Sequence, residues 1–233
     1  MPDGIPWFTF GPFAAALIVA AIVGRAAVMD VFSRLVRWRV GVVWYIVAVG
    51  LPVAIQLATN LLLPLFGAAQ PAWGNIPSVG DILPMVLLFA VFSGPLGEEP
   101  GWRGFALPRL LSTQSALAAS LIVGLLWSAW HLPLFLVGDF SLPAALHVIA
   151  SAVVFTWLYQ NTNGSVLLPI LMHIAHQNSV RFLGRVFEEQ ADRMMEQWVS
   201  FGLWAIVAIA VVVFAGAARL TRGAPPATVP DST

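Results

Sequence analysis

Apolar runs of about 20 residues alternate with short polar clusters along the whole chain, and each run is long enough to cross roughly 30 Å of hydrocarbon. The pattern predicts helices over roughly 8–29, 40–66, 82–110, 115–137, 141–160, 165–187 and 198–218. That is an all-α, polytopic membrane bundle of about seven transmembrane helices. The third helix carries Pro100-Gly101, which predicts a kink. Four regions follow from the pattern: 1–81 with two N-terminal spans, a core over 82–187, a polar segment plus the last span over 188–222, and a Pro-containing tail over 223–233 expected to be disordered. The first apolar stretch lacks a basic leader and is followed by Arg25, not a small-residue cleavage site, so it reads as a span and not a signal peptide.

Composition strengthens this picture. Hydrophobic residues make up 59% of the chain and charged residues 9%, with a mean hydropathy of +0.86. The formal net charge is zero, which excludes the basic footprint of a nucleic-acid partner. Cysteine is absent, so a thiol nucleophile, a Cys-ligated metal and disulfides are excluded. Every basic residue is Arg, and the lack of Lys excludes a Ser-Lys dyad. Arg25, Arg34, Arg37, Arg39, Arg103, Arg109, Arg219 and Arg222 fall on one side if the N-terminus is outside and the C-terminus cytoplasmic. Arg181, Arg185 and Arg193 are the exception, and they share their segment with Glu188, Glu189, Asp192 and Glu196.

Against this background Glu98-Glu99-Pro-Gly-Trp-Arg103 stands out, because charge between apolar runs is costly and marks a functional site by default. His131 and His173 lie in similar settings. The turn Ser112-Thr113-Gln114 suits a helix N-cap. Glu98 precedes Gln114 by 16 residues and His131 follows Ser115 by 16, so both lie about 24 Å from the turn. An antiparallel hairpin therefore predicts Glu98 and His131 at one depth. His173, nine residues past Gly164, lies roughly 14 Å beyond its own turn and reaches a similar level. The bland readings compete. A Glu-Arg pair can be structural, the Trp-rich segments suit interfacial belts, and His147 suits an interhelical hydrogen bond.

Glu98-Glu99-x-x-x-Arg103, Trp127-x-x-x-His131, and His173 with an amide four or five residues on resemble the motifs of the CPBP family. That family includes the type II CAAX prenyl endopeptidases and bacterial bacteriocin-processing or immunity proteins. The resemblance covers roughly residues 82–180 and implies an intramembrane endopeptidase that hydrolyses a peptide bond with an activated water. It matches Glu98 to the general base and His131 to a residue holding the water. Glu99 and Arg103 match an accompanying ion pair, which would orient Glu98 or meet a substrate carboxylate, and His173 matches an oxyanion donor. Two positions depart from the family pattern: Trp127 stands where Phe is usual, and Gln177 where Asn or Asp is usual. Regular helical spacing puts Gln177 on the His173 face and turns Asn178 away, with His176 near the same face. Trp127 and Asn178 are further candidates for substrate contact.

Glu98, His131 and His173 are also a candidate ligand set for a divalent metal such as zinc, although a glutamate-activated water needs no metal. The implied partners are a membrane or membrane-associated peptide or protein substrate and the lipid bilayer, with no nucleic acid. The implied location is a bacterial plasma membrane, with the active site open toward the cytoplasm. A non-proteolytic immunity or scaffolding protein and a proton-linked transporter are the competing readings.

Overall fold

The computed structural model describes residues 8–92, 94–223 and 226, and they form an all-helical fold with no strand among them. The helices are α1 (Gly11–Val23), α2 (Arg25–Leu35), α3 (Val42–Leu62), α4 (Val79–Phe92), α5 (Pro95–Gly101), α6 (Leu107–Leu111), α7 (Ala116–Trp130), α8 (Leu132–Leu136), α9 (Leu142–Asn161), α10 (Leu167–Leu183) and α11 (Gln190–Ala215). Among the described residues four stretches are long and apolar enough to cross a membrane: Val42–Phe66, Val79–Leu111, Leu142–Asn161 and Gln190–Ala215. Gly11–Val23 and Ala116–Trp130 are shorter apolar helices. The chain is an integral membrane protein, and the helices do not confirm the expected count of seven spans. The expected first span is divided at Gly24 into α1 and α2. The sixth becomes α10, a 17-residue helix that carries His173, His176, Gln177 and Asn178. The polar segment after it runs into the last span, its Asp192, Arg193 and Glu196 forming the first turns of α11. The expected disordered tail lies outside the described residues apart from Gly223 and Pro226.

Local chemistry explains the boundaries. Ser115 is extended, and its Oγ accepts from the Ala118 N–H at 3.2 Å, which caps α7; the cap therefore sits one residue past the expected Ser-Thr-Gln turn. Ser141 caps α9 in the same way, accepting from Ala144 N at 3.2 Å. The third span breaks before Gly94, whose φ of 120° suits glycine alone, and Pro95 then opens α5. Pro100, where a kink is expected, lies inside α5. The backbone widens into a π-helical turn over Trp102–Ala106, which relieves the proline without breaking the helix.

Packing sorts the connections to two ends. At one end Val166 N donates to Arg34 O at 3.0 Å, Ala116 N to Ala218 O at 2.9 Å, and Asn161 Nδ2 to Leu220 O at 2.9 Å. Arg34, Arg37, Arg39, Arg219 and Arg222 belong to these segments. At the other end Ala72 N donates to Val186 O at 3.0 Å, Asn75 Nδ2 to Glu188 Oε1 at 3.0 Å, and Ala69 N to Asp192 Oδ2 at 3.2 Å. Between the ends α10 packs chiefly on α3, while α9 lies between α7 and α11.

Candidate active site

The site begins with a close approach of two backbones. A Cβ on Gly97 would lie 2.3 Å from the Thr9 carbonyl oxygen, so the lack of a side chain there lets α5 settle against the start of α1. That contact buries the next two residues: Glu98 is 4% exposed and Glu99 is 0%. Burying two adjacent carboxylates is tolerable only if each is hydrogen-bonded. Glu98 Oε2 accepts from the Trp127 indole Nε1 at 2.6 Å. Glu99 Oε1 accepts from Arg103 Nη1 at 3.0 Å and from His173 Nδ1 at 2.9 Å.

The i,i+4 pairing of Glu99 and Arg103 survives Pro100 because the π turn begins only at Trp102. The buried Arg103 guanidinium lies between the rings of Trp127, 4.3 Å away, and Phe155, 4.6 Å away. Its Nε and Nη2 find no acceptor among the described residues, so aromatic faces stand in for the missing oxygens.

His173 is fixed by its Nδ1–H on the Glu99 carboxylate, which leaves Nε2 as the working nitrogen. His131 ends α7, where its Nδ1–H donates to the Trp127 carbonyl at 2.8 Å, and its ring stacks on Phe140 with centroids 4.6 Å apart. Its Nε2 is the lone-pair nitrogen in that tautomer.

Five expected residues thus meet directly: Glu98, Glu99, Arg103, Trp127 and His173. The hairpin expectation needs a correction. The side chain that meets Glu98 is Trp127, one helical turn before His131, and the π turn over Trp102–Ala106 accounts for about one residue of that offset, the long indole side chain for reach beyond it. His131, His173 and Gln177 line a cavity of about 240 Å³ with Trp127 and Phe155. A Cβ on Gly94 would lie 2.9 Å from Glu98 Oε1 and 3.4 Å from Gln177 Nε2, so the carboxylate and the amide are neighbours. Asn178 is not among the cavity's lining; its Nδ2 donates to the Ile174 carbonyl of its own helix at 2.8 Å. Glu99 contacts His173 and Arg103, and no hydrogen bond joins it to Glu98 among the described residues.

Other features were not anticipated. The cavity continues toward Gln56, Glu196, Gln197 and Ser200, away from the Arg-rich end, whereas the expectation from Arg placement is a site open on the Arg-rich, cytoplasmic side. His147 is not a hydrogen-bonded helix bridge. It stacks on His176 with centroids 4.5 Å apart, and its Nε2 has no partner among the described residues. Gly94 was signalled by Gly-Pro punctuation, but Phe155, within an unbroken apolar run, carried no signal at all. Among the described residues no three His, Asp or Glu side chains converge as metal ligands, so Glu98, His131 and His173 do not fit a ready-made metal set.

Comparison with known proteins agrees with the motifs. Residues 80–178 match the family model described as type II CAAX prenyl endopeptidase Rce1-like. The chain is 26% identical over 178 residues to CAAX prenyl protease 2 of Methanococcus maripaludis, covering 70% of this chain and 62% of that protein. The chain therefore spans less than two thirds of the relative's length. The matched stretch contains Glu98, Glu99, Arg103, His131, His173, Gln177 and Asn178, so the chain is similar to this family over the segment that carries the site.

Proposed function

We propose that the protein is a membrane-embedded endopeptidase that hydrolyses a peptide bond with a water activated by Glu98. The observation that carries this reading is the pair of separately anchored groups: Glu98 held by Trp127 Nε1 at 2.6 Å, and His173 held by Glu99 at 2.9 Å. Glu98 Oε1, the oxygen not bonded to Trp127, takes a proton from water, and the hydroxide attacks the scissile carbonyl carbon. His131 Nε2 accepts a hydrogen bond from that water and orients it. The tetrahedral oxyanion is met by a ring N–H of His173, whose orientation is set by Glu99, and by the Gln177 amide. The C–N bond then breaks, and the proton on Glu98 passes to the leaving amine. One water is consumed, and an acid and an amine are released.

Arg103 offsets the Glu99 charge so that the carboxylate can orient His173 without a second buried charge standing alone. The substrate is a membrane-associated peptide held by its own apolar or lipid-modified end, and the prenylated C-terminus named in the family description is the leading type. The Arg-rich end faces the cytoplasm of a bacterial plasma membrane, and the cavity extends within the bundle toward the opposite end. No step requires a metal.

The test is hydrolysis of one peptide, prenylated and unmodified, by purified wild-type protein and Glu98→Gln. Expected is wild-type cleavage, with a lower KM for the prenylated form, and none by the variant. Equal cleavage by both proteins removes Glu98 from the base role, and equal KM for both peptides removes the lipid-modified substrate.

A further inference from the structure

A second cavity, of about 300 Å³, lies at the Arg-rich end, between the α2–α3 connection and the C-terminus of α9. Arg37, Trp38, Arg39, Val40, Thr162 and Asn163 line it, and no carboxylate does. The connection is held in place before any ligand arrives. Trp38 N donates to Val36 O at 3.0 Å and Val40 N to Trp38 O at 2.9 Å. Tyr45 Oη donates to Trp38 O at 2.6 Å, and Ser165 Oγ to Arg37 O at 2.7 Å.

Among the described residues, Arg37 and Arg39 meet no carboxylate. Asp30, the acid of α2, is taken by the buried Arg34, whose Nε lies 2.9 Å from Asp30 Oδ2. Arg37 is fixed by neutral acceptors, donating from Nη1 to Asn163 O at 2.9 Å and from Nη2 to Ser33 Oγ at 3.3 Å. Arg39 is exposed and lies over the Trp38 ring at 5.3 Å, with no ion pair among the described residues. Two forked guanidiniums and a hydroxyl-amide edge suit a phosphate oxyanion.

The surroundings are apolar. Val36 is 70% exposed, Trp38 59% and Val42 74%, and Val42 begins a helix of spanning length. An exposed indole beside cations at the end of such a helix sits at headgroup depth. A free anion would use the arginines and leave this apolar skirt bare, whereas a phospholipid would cover both.

We propose that this pocket binds the phosphate of an anionic membrane lipid, with Arg37 and Arg39 on the phosphate and Val36, Trp38 and Val42 against the glycerol and upper acyl chains. Basic pockets at helix ends capture anionic headgroups with about 1 kcal/mol per cation near the surface. The site is remote from the catalytic residues, so its occupancy is read by binding.

The experiment is native mass spectrometry and thermal unfolding of the full chain in neutral detergent, titrated with phosphatidylglycerol, phosphatidylcholine or inorganic phosphate. Wild-type protein is expected to retain one phosphatidylglycerol and to unfold at a higher temperature with it, and to do neither with phosphatidylcholine. Arg39→Gln is expected to unfold like wild type without lipid and to bind phosphatidylglycerol about fivefold more weakly, the loss expected for one cation near the surface. Arg222→Gln, at the same end but outside the pocket, is expected to bind like wild type. Equal retention of both lipids would reduce the pocket to ordinary annular contact and overturn the proposal. Equal weakening by the two Arg variants would mean a diffuse field in place of a pocket and would overturn it as well. Full stabilisation by inorganic phosphate alone would make it a free-anion site and overturn the lipid assignment.

Discussion

Two histidine clusters face one cavity, and they differ in what stands behind the rings. His173 rests its Nδ1 on a buried carboxylate, which is itself paired with Arg103. His147 and His176 stack face to face at 4.5 Å, with Trp204 edge-on to both and no carboxylate in hydrogen-bond contact with either among the described residues. A ring anchored at one nitrogen presents the other in a fixed direction. Stacked rings without an anion would repel on protonation and are suited to packing. Burial and aromatic neighbours are common to both clusters, so the orienting carboxylate is what separates a chemical imidazole from a structural one.

The largest expected effect comes from the group facing His173. Glu98→Gln is isosteric and keeps an oxygen for the Trp127 N–H, but it cannot take a proton, so turnover should fall about 10²–10⁴-fold with the melting temperature unchanged. Steady-state kinetics beside thermal unfolding checks both halves.

Next comes the charge pair behind the ring. Arg103→Ala strands Glu99 as a fully buried carboxylate and should cost roughly 3–5 kcal/mol of stability as well as activity. The double variant Glu99→Gln with Arg103→Gln should unfold at a higher temperature than Arg103→Ala alone. A single variant that melts like wild type would show that the pair is not isolated from water.

A smaller loss is expected at the amide. Gln177→Ala should lower kcat about 10–10³-fold with little change in KM, as for loss of one oxyanion donor. Asn178→Ala should be nearly silent in kinetics, because its Nδ2 is spent on the Ile174 carbonyl. The opposite ranking would require α10 to be distorted after His173.

Much of this was readable before the fold. Hydropathy located the helices because a bilayer demands long apolar runs, and the same cost of buried charge drew attention to Glu98, Glu99 and Arg103. Helical spacing chose Gln177 over Asn178 as the residue facing the cavity. The readings that went astray share a cause. Counting residues from a turn assumes a regular rise and ignores side-chain reach, whereas the π turn at Trp102–Ala106 shortens the first arm and the long Trp127 indole meets Glu98. Helices that are apolar on all sides give no signal of which face meets which neighbour, so Phe155 over Arg103 and the His147–His176 stack depend on helix rotations that no single segment encodes. The direction of the cavity depends on how α3, α9, α10 and α11 splay, which is again a property of the assembly.

The most direct test sets the two clusters against each other: turnover of one peptide by His173→Phe and by His147→Phe, with thermal unfolding confirming that both are folded. Phe puts a slightly larger aromatic ring in each place and removes the nitrogens. The account predicts a loss of about 10²-fold or more for His173→Phe, in line with removal of an oxyanion donor, and a His147→Phe rate close to wild type. Comparable losses in the two variants, or a larger loss at His147, would contradict it.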